Sequence, residues 1–265
     1  MHEWLQAFGY LEADYTQAQY EAAVVAMQTV YGLKPDGDAG PITRATIKLP
    51  RCGDVDLPKQ LGRGCGWDQE VVKFFIYPKF SLGGDLEGTQ RILREGFDLY
   101  APLTGLQFEE VTQQTDADIV VGNDTTFEFD GVGRVLAMAH RPCTRPGRAV
   151  YVRFDESEPW TTKETGPGIL VKSVWLHELG HALGLPHSAD PRSLMFPTYN
   201  ATITEPQVGD KYELAAIYGL PSPSPDIEVG VGLVPGLPYG AYGVSGTMVF
   251  AAGRVAISFD HVEPK

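Results

Sequence analysis

His177-Glu178-Leu179-Gly180-His181-Ala182-Leu183-Gly184-Leu185-Pro186-His187 is the stretch that decides how this chain folds and what chemistry it can hold. The chain has six histidines, and three of them fall here in the spacing H-E-x-x-H-x-x-G-x-x-H. Residues four apart on a helix share a face, so His177 and His181 can aim imidazole nitrogens at one ion. Gly184 is free to take a positive φ and end the helix. The turn it permits can swing His187 back to the same metal. Three neutral imidazoles leave one tetrahedral position of a zinc ion open, as a catalytic site needs. Glu178 can reach a water at that position. Zinc lowers the water's pKa toward neutrality, Glu178 takes its proton, and the hydroxide attacks a polarised peptide carbonyl. Glu178 then passes the proton to the leaving amine.

The rest of the chain is compatible with such a site. A hydrophobic fraction of 43% over 265 residues is enough to bury a real core. The formal net charge of -13 argues against nucleic acid or an anionic membrane as a partner. No apolar run reaches the length of a membrane span, and a monomer is expected. Met1 is followed at once by His2, Glu3 and Trp4, so no signal peptide is visible in this numbering. Cys52, Cys65 and Cys143 make an odd count, which suggests one pair and one thiol with separate duties.

Four segments separate by composition. Residues 1–50 read as helical: Leu5, Phe8 and Leu11 recur at helical spacing, Gln17 to Tyr31 carries an apolar stripe, and a third short helix starts near Thr43. Residues 51–67 are a Gly-rich connector that reads as exposed and cleavable, with Lys59 and Arg63 as candidate trypsin-like cut sites. Residues 68–220 mix strand and helix signals. Val71–Tyr77, Phe108–Val111, Asp118–Val121, Leu136–Ala139 and Ala149–Phe154 read as strands; Thr89–Tyr100, Gly168–Leu183 and Lys211–Tyr218 read as helices. The mixture predicts an α+β fold with one mostly parallel sheet and helices packed on it. Residues 221–265 begin as a stiff Pro-Ser linker and continue as a Gly-rich tail with strand-like runs near 247–250 and 255–259.

The extended zinc motif resembles the metzincin clan, and Ser193-Leu194-Met195-Phe196-Pro197-Thr198-Tyr199 is similar to its Met-turn, with Met195 beneath the metal. Within the clan the chain resembles the matrix metalloproteinases, or matrixins. Pro50-Arg51-Cys52-Gly53-Asp54-Val55-Asp56 is similar to their propeptide motif P-R-C-G-x-x-D, Phe154 to Trp160 to their F-D-x-x-E-x-W loop, and Phe8-Gly9-Tyr10-Leu11 to a further propeptide pattern. The resemblance covers residues 1 to about 220. It implies a three-helix prodomain followed by a catalytic domain with a twisted, mostly parallel five-stranded sheet and three helices. Met27-Gln28, Tyr31-Gly32-Leu33, Asp36-Gly37, Gly40-Pro41 and Thr43 also look like a peptidoglycan-binding helical module. No likeness to the matrixin propeller appears after residue 220.

The resemblance carries further expectations. Cys52 would occupy the fourth zinc position and keep the chain latent, while Arg51 and Asp56 pair to hold the bend. The usual motif has valine and proline where this chain has Asp54 and Val55. That departure is expected to weaken latency, by a looser bend and an added negative charge. Calcium would be held by Asp130, Asp155 and Glu158, by carbonyls of Gly131, Gly133 and Val135, and at a further site by Asp118. The family's second, structural zinc would be missing. His140 matches one ligand, but the other positions fall on Asn123, on Thr125 or Asp124, and on Arg153, whose guanidinium cannot coordinate a cation. Cys65 and Cys143 are candidates to cross-link that region instead. One catalytic zinc and calcium are therefore the expected cofactors. Pro197, Thr198 and Tyr199 would wall a pocket for an apolar side chain just after the cleaved bond, with Ser173 at its floor.

These readings converge on a latent, secreted, extracellular zinc endopeptidase that cuts protein or peptide substrates and needs an activating protease. The alternative is a cell-wall or peptide-binding metalloprotein without turnover.

Overall fold

The computed structural model describes residues 1–56, 65–123 and 128–220, together with two strand backbones at 248–251 and 254–257. Residues 1–223 form one compact unit and residues 224–265 a second.

The first unit begins with three helices, α1 (His2–Ala7), α2 (Gln17–Val30) and α3 (Pro41–Thr46). Thr16 and Gln19 cap α2 reciprocally: the Thr16 hydroxyl accepts from Gln19 N, and the Gln19 side chain accepts from Thr16 N. Leu5, Leu11, Ala23, Val24 and Met27 form a small separate core. Buried Gln28 ties the next turn together. Its amide donates to Asp36, to the Asp38 carbonyl and to Thr43 at 2.9–3.1 Å and accepts from Gly37 N.

The chain then enters the sheet. Its strands are β1 (Arg51–Cys52), β2 (Val71–Ile76), β3 (Gln107–Glu110), β4 (Ile119–Val121), β5 (Val135–Ala139) and β6 (Val150–Phe154), in the order β1-β5-β6-β4-β2-β3. Every pairing is parallel except β5 with β6. Five of these strands match the expected sheet. The sixth, β1, comes from the connector, so the reading of residues 51–67 as exposed fails at its start, and it fails again at Cys65, which is buried in a disulfide. Arg51, Cys52 and Asp56 are buried because β5 would otherwise present an unpaired edge. Residues 57–64, with Lys59 and Arg63, lie outside the described residues.

The helix α4 (Leu86–Thr104) is capped by Asp85, which accepts from Gly88 N, and ends at Gly105 with φ +71°. Short strands β7 (Trp160–Thr161) and β8 (Ile169–Leu170) pair in parallel and lead into α5 (Val171–Ala182). The predicted helix start at Gly168 is therefore three residues early: Ile169 and Leu170 are committed to β8. The helix α6 (Val208–Tyr218) follows. Trp175 of α5 is fully buried against α4, its indole N–H donating to the Leu93 carbonyl at 3.1 Å. Gly96 makes room for it, since a Cβ there would stand 2.0 Å from Trp175 Nε1. Helix propensity favours alanine over glycine by about 0.8–1 kcal/mol. Overpacking against a rigid, hydrogen-bonded ring costs about 1–3 kcal/mol, so the clash wins. Gly96→Ala is expected to lower Tm by several degrees in a thermal melt.

In the second unit, β9 (Met248–Ala251) and β10 (Arg254–Ile257) form an antiparallel pair near the strand-like runs expected there.

Candidate metal centre

α5 brings its two histidines to one face, and Gly184, at φ +100°, turns the chain so that His187 joins them. A side chain at Gly184 is excluded twice over, by that φ and by the Cys65 carbonyl, which would stand 2.7 Å from its Cβ. The His177 Nδ1–H donates to the Leu194 carbonyl and the His181 Nδ1–H to the Leu185 carbonyl, each at 2.7 Å. A carbonyl can only accept, so both rings carry their proton on Nδ1 and turn a bare Nε2 inward. Burial, and then the neighbouring imidazoles, hold His177 down at about 3 and His181 well below the usual histidine range. Both are neutral, as ligands must be. His177 Nε2 and His187 Nε2 lie 3.3 Å apart, and His181 Nε2 is buried without a hydrogen-bond partner.

The fourth donor is Cys52. Its sulfur and the three imidazole nitrogens all lie within 4.8 Å of one another, the one such cluster of three or more His, Cys, Asp or Glu ligands among the described residues. Three imidazoles and a soft sulfur, with His181 Nε2 left without a partner, fit a tetrahedral zinc ion. Burial, then the neighbouring Glu178 and Asp54, push the free Cys52 thiol well up. A bound cation reverses that balance and favours the thiolate. Glu178 is fully buried next to the thiol, and burial raises it to about 8.

Below the histidines lies Met195, whose sulfur would be 2.5 Å from any Cβ at Gly180. The turn that carries it is pinned by Asp210, which sequence reading missed. This carboxylate accepts from Leu194 N at 2.9 Å, from Gln207 N at 2.7 Å and from the Ser193 hydroxyl. Its position in the first turn of α6 was the available signal.

The segment bearing Cys52 is held from both sides. Arg51 N donates to the Arg134 carbonyl and Gly53 N to the Ala137 carbonyl on β5; Cys52 N donates to Pro197 O, and Tyr199 N to Pro50 O, on the opposite wall. A Cβ at Gly53 would meet Val135 Cγ1 at 2.8 Å, so only glycine lets the backbone lie this close. Arg51 and Asp56 pair at 2.5 Å with almost no exposure. Tyr10 and Tyr31 donate to Asp56, Arg51 donates to the Tyr31 oxygen, and the Phe8 ring lies 3.4 Å from the guanidinium. The close approach of His187, then Arg51, keeps Asp56 well below the usual carboxylate range in spite of burial. Asp56 sits 3.0 Å from His187 Nδ1. Asp54 is not the unbalanced charge that sequence suggested, since Arg141 pairs with it at 3.1 Å.

Ser173, Pro197, Thr198 and Tyr199 line a cavity beside Cys52, His177 and Glu178 with a volume of about 30 Å³. That is room for water and not for a side chain. Ser173 donates to the Asn200 carbonyl, and the Tyr199 hydroxyl accepts from Leu170 N.

The acids read as calcium ligands lie in two places. Glu158 reaches the amide of Gly133 at 2.5 Å, and Asp130 accepts from Val135 N. Asp155 accepts from Ser157 through one oxygen and buries the other without a partner. Gly131 and Gly133 have positive φ, which bends their loop toward these acids. Asp118 is elsewhere, accepting from Gln69 and from Lys73 N. His140 faces arginines: Arg145 stands 3.4 Å from its Nε2, and burial followed by Arg145 and Arg153 lowers its pKa. Arg153 is opposite Met138 in the ladder, and Asn123 bonds to Phe154 and Glu156. Asp124 and Thr125 lie outside the described residues. Cys65 and Cys143 form a disulfide, leaving Cys52 as the free thiol.

The sequence profile of the matrixin family matches residues 66–219, more than half of the chain. The chain belongs to the matrixin family. Residues 1–47 of this matrixin match a peptidoglycan binding domain. It is 32% identical to matrix metalloproteinase-16 of Rattus norvegicus, over 84% of this chain and 42% of that protein. It is likewise 32% identical to matrix metalloproteinase-25 of Mus musculus, over 84% of the chain and 41% of the relative. With macrophage metalloelastase of Rattus norvegicus it shares 29%, over 78% and 45%. The matrixin described here thus spans less than half the length of these curated relatives. Among its described residues no helix is long and apolar enough to cross a membrane.

Proposed function

We propose that this chain is a secreted zinc endopeptidase held latent by its own N-terminal segment. The carrying observation is the four-donor cluster of Cys52 with His177, His181 and His187, set against buried Glu178. When bound there, zinc supplies Lewis-acid polarisation of a carbonyl and acidifies water. The chain's own residues do the rest. Glu178 is the general base, taking a proton from the attacking water and delivering it to the leaving amine. The Leu194 and Leu185 carbonyls hold His177 and His181 in the ligating tautomer. The edge of β5 and the Pro197–Tyr199 wall, both hydrogen-bonded to residues 50–53, bind an extended peptide backbone once that segment leaves. The wall and Ser173 then receive an apolar side chain just after the cleaved bond. Cys52 excludes the water while it is in place, and Arg51 and Asp56 stiffen its bend.

The Cys65–Cys143 disulfide supports an oxidising, extracellular setting. The match at residues 1–47 also raises glycan binding, but Trp4, Phe8, Tyr10 and Tyr31 are turned to the Arg51–Asp56 pair. Their engagement favours a prodomain. The deciding assay is peptide cleavage after a cut within residues 57–64, with and without a zinc chelator. Chelator-sensitive cleavage is expected, and a zinc-loaded, cut chain that hydrolyses nothing would leave the binding-protein reading.

Calcium fits the group of Asp130, Asp155 and Glu158, because burial and then neighbouring acids raise the Glu158 carboxyl and a cation would relieve both. A ligand at about a hundredfold its Kd adds about 2.7 kcal/mol. Zinc with calcium is therefore expected to melt roughly 5–10 °C above zinc alone. Equal melting would remove calcium from this reading.

A further inference from the structure

Residues 50–56 lie in the cleft as a short strand, Arg51–Cys52, followed by a bend, and Asp54 on that bend is placed to sample a subsite. Asp54 samples one that the resemblance does not contain. Its carboxylate pairs with Arg141 at 3.1 Å and lies 3.8 Å from His181 Nδ1, so one carboxylate separates Arg141 from a metal ligand. The Arg141 side chain is 3% exposed, and its Nε has no hydrogen-bond partner. Among the described residues its one ion-pair partner is Asp54. Asp54 is its countercharge in the latent chain, and once residues 50–56 leave the cleft no ion-pair partner remains among the described residues, so the position suits an anion supplied by a substrate.

The contacts that hold the Arg141 backbone do not come from the prodomain. The Arg141 carbonyl accepts from Thr144 N and from the Thr144 hydroxyl, Pro142 stiffens the turn, and the adjacent Cys143 is bonded to Cys65. All of these residues lie beyond the 57–64 segment. Pro50 and Arg51 run along the Pro197–Tyr199 wall, whereas Asp54 lies on the other side of Cys52. On the reading of that wall as the site of the residue after the cleaved bond, Arg141 serves residues before it.

We propose that Arg141 is a specificity-determining residue that selects substrates with an acidic side chain close to the cleaved bond on its amino-terminal side, and that Asp54 occupies this subsite in the latent chain. The proposal rests on the endopeptidase reading above.

The test uses the full-length chain, cut within residues 57–64, and peptides sharing one apolar residue after the cleaved bond. Asp, Asn or Lys is placed in turn at each of the nearest preceding positions. At one position kcat/KM is expected to be about tenfold higher for Asp than for Asn, and lower again for Lys. Arg141→Gln levels this order and Arg141→Glu reverses it. In the intact chain, Asp54→Asn is expected to speed labelling of the Cys52 thiol about tenfold, with partial recovery in Asp54→Glu. Equal cleavage of all peptides by the wild type, an order unchanged in Arg141→Gln, or unaltered Cys52 labelling overturns the proposal. The wild-type panel and the labelling decide it even if an Arg141 variant does not fold. No cleavage of any peptide removes the endopeptidase reading and this subsite with it, whereas cleavage with indifference removes the subsite alone.

Discussion

Glu178→Gln in the cut chain is expected to lower peptide turnover by roughly two to four orders of magnitude, with metal content unchanged at one zinc per chain. The substitution keeps the shape of a side chain that is fully buried and whose two oxygens lack a well-formed hydrogen bond among the described residues. What it removes is the ability to hold and release a proton. The three imidazoles are oriented by the Leu194 and Leu185 carbonyls and by the Gly184 turn, none of which involves Glu178. Binding and chemistry therefore separate in the measurement. Metal analysis is expected to read the same in wild type and variant, while kcat falls. Near-normal turnover in Glu178→Gln would show that another group moves the proton. A second firmly bound zinc would refute the reading that the structural zinc position is lost at Asn123, Arg153 and their neighbours.

The second large effect is expected at Cys52. The intact chain should be silent, and Cys52→Ser should cleave peptides without any cut, to within a few-fold of the cut wild type. Residues 50–56 seated in the cleft, with the Arg51–Asp56 pair and hydrogen bonds on both flanks, would by themselves hinder access. The thiolate adds the metal bond, and a serine hydroxyl is a far poorer ligand. A shift in open population of about a hundredfold is a modest demand on such a bond. Assay of intact wild type, intact Cys52→Ser and cut wild type in parallel decides the matter. An intact wild type as active as the cut form would show that Cys52 is no inhibitor. Silence in all but the cut form would place latency in the packing of residues 50–56 rather than in the sulfur.

Much of the site was legible because its information is local. His177 and His181 are a helical turn apart, and His187 follows a glycine that only needs a permissive φ. No alternative backbone uses that spacing as well. The helices of residues 1–50 were legible for the same reason, through apolar spacing. Element boundaries were less so. Ile169 and Leu170 read as the start of a helix because they are apolar and adjoin one, yet their partners in β8 pairing are Trp160 and Thr161. The connector read as exposed because Gly-rich sequence has no period, and its first residues are buried because the β5 edge needs a strand.

The sequence by itself determined a set of three histidines able to meet at one metal ion, because short spacings on a helix and turn leave few geometries, while Cys52 was legible only through the resemblance of its heptapeptide to the matrixin motif. Only the tertiary structure decided the rest. It paired Cys65 with Cys143 across 78 residues, set Asp210 under the Met195 turn, and gave the Asp54 charge its partner in Arg141. Each of these contacts joins residues far apart in the chain. No local period encodes them, and chain folding alone brings their opposite charges, donors and thiols within bonding distance.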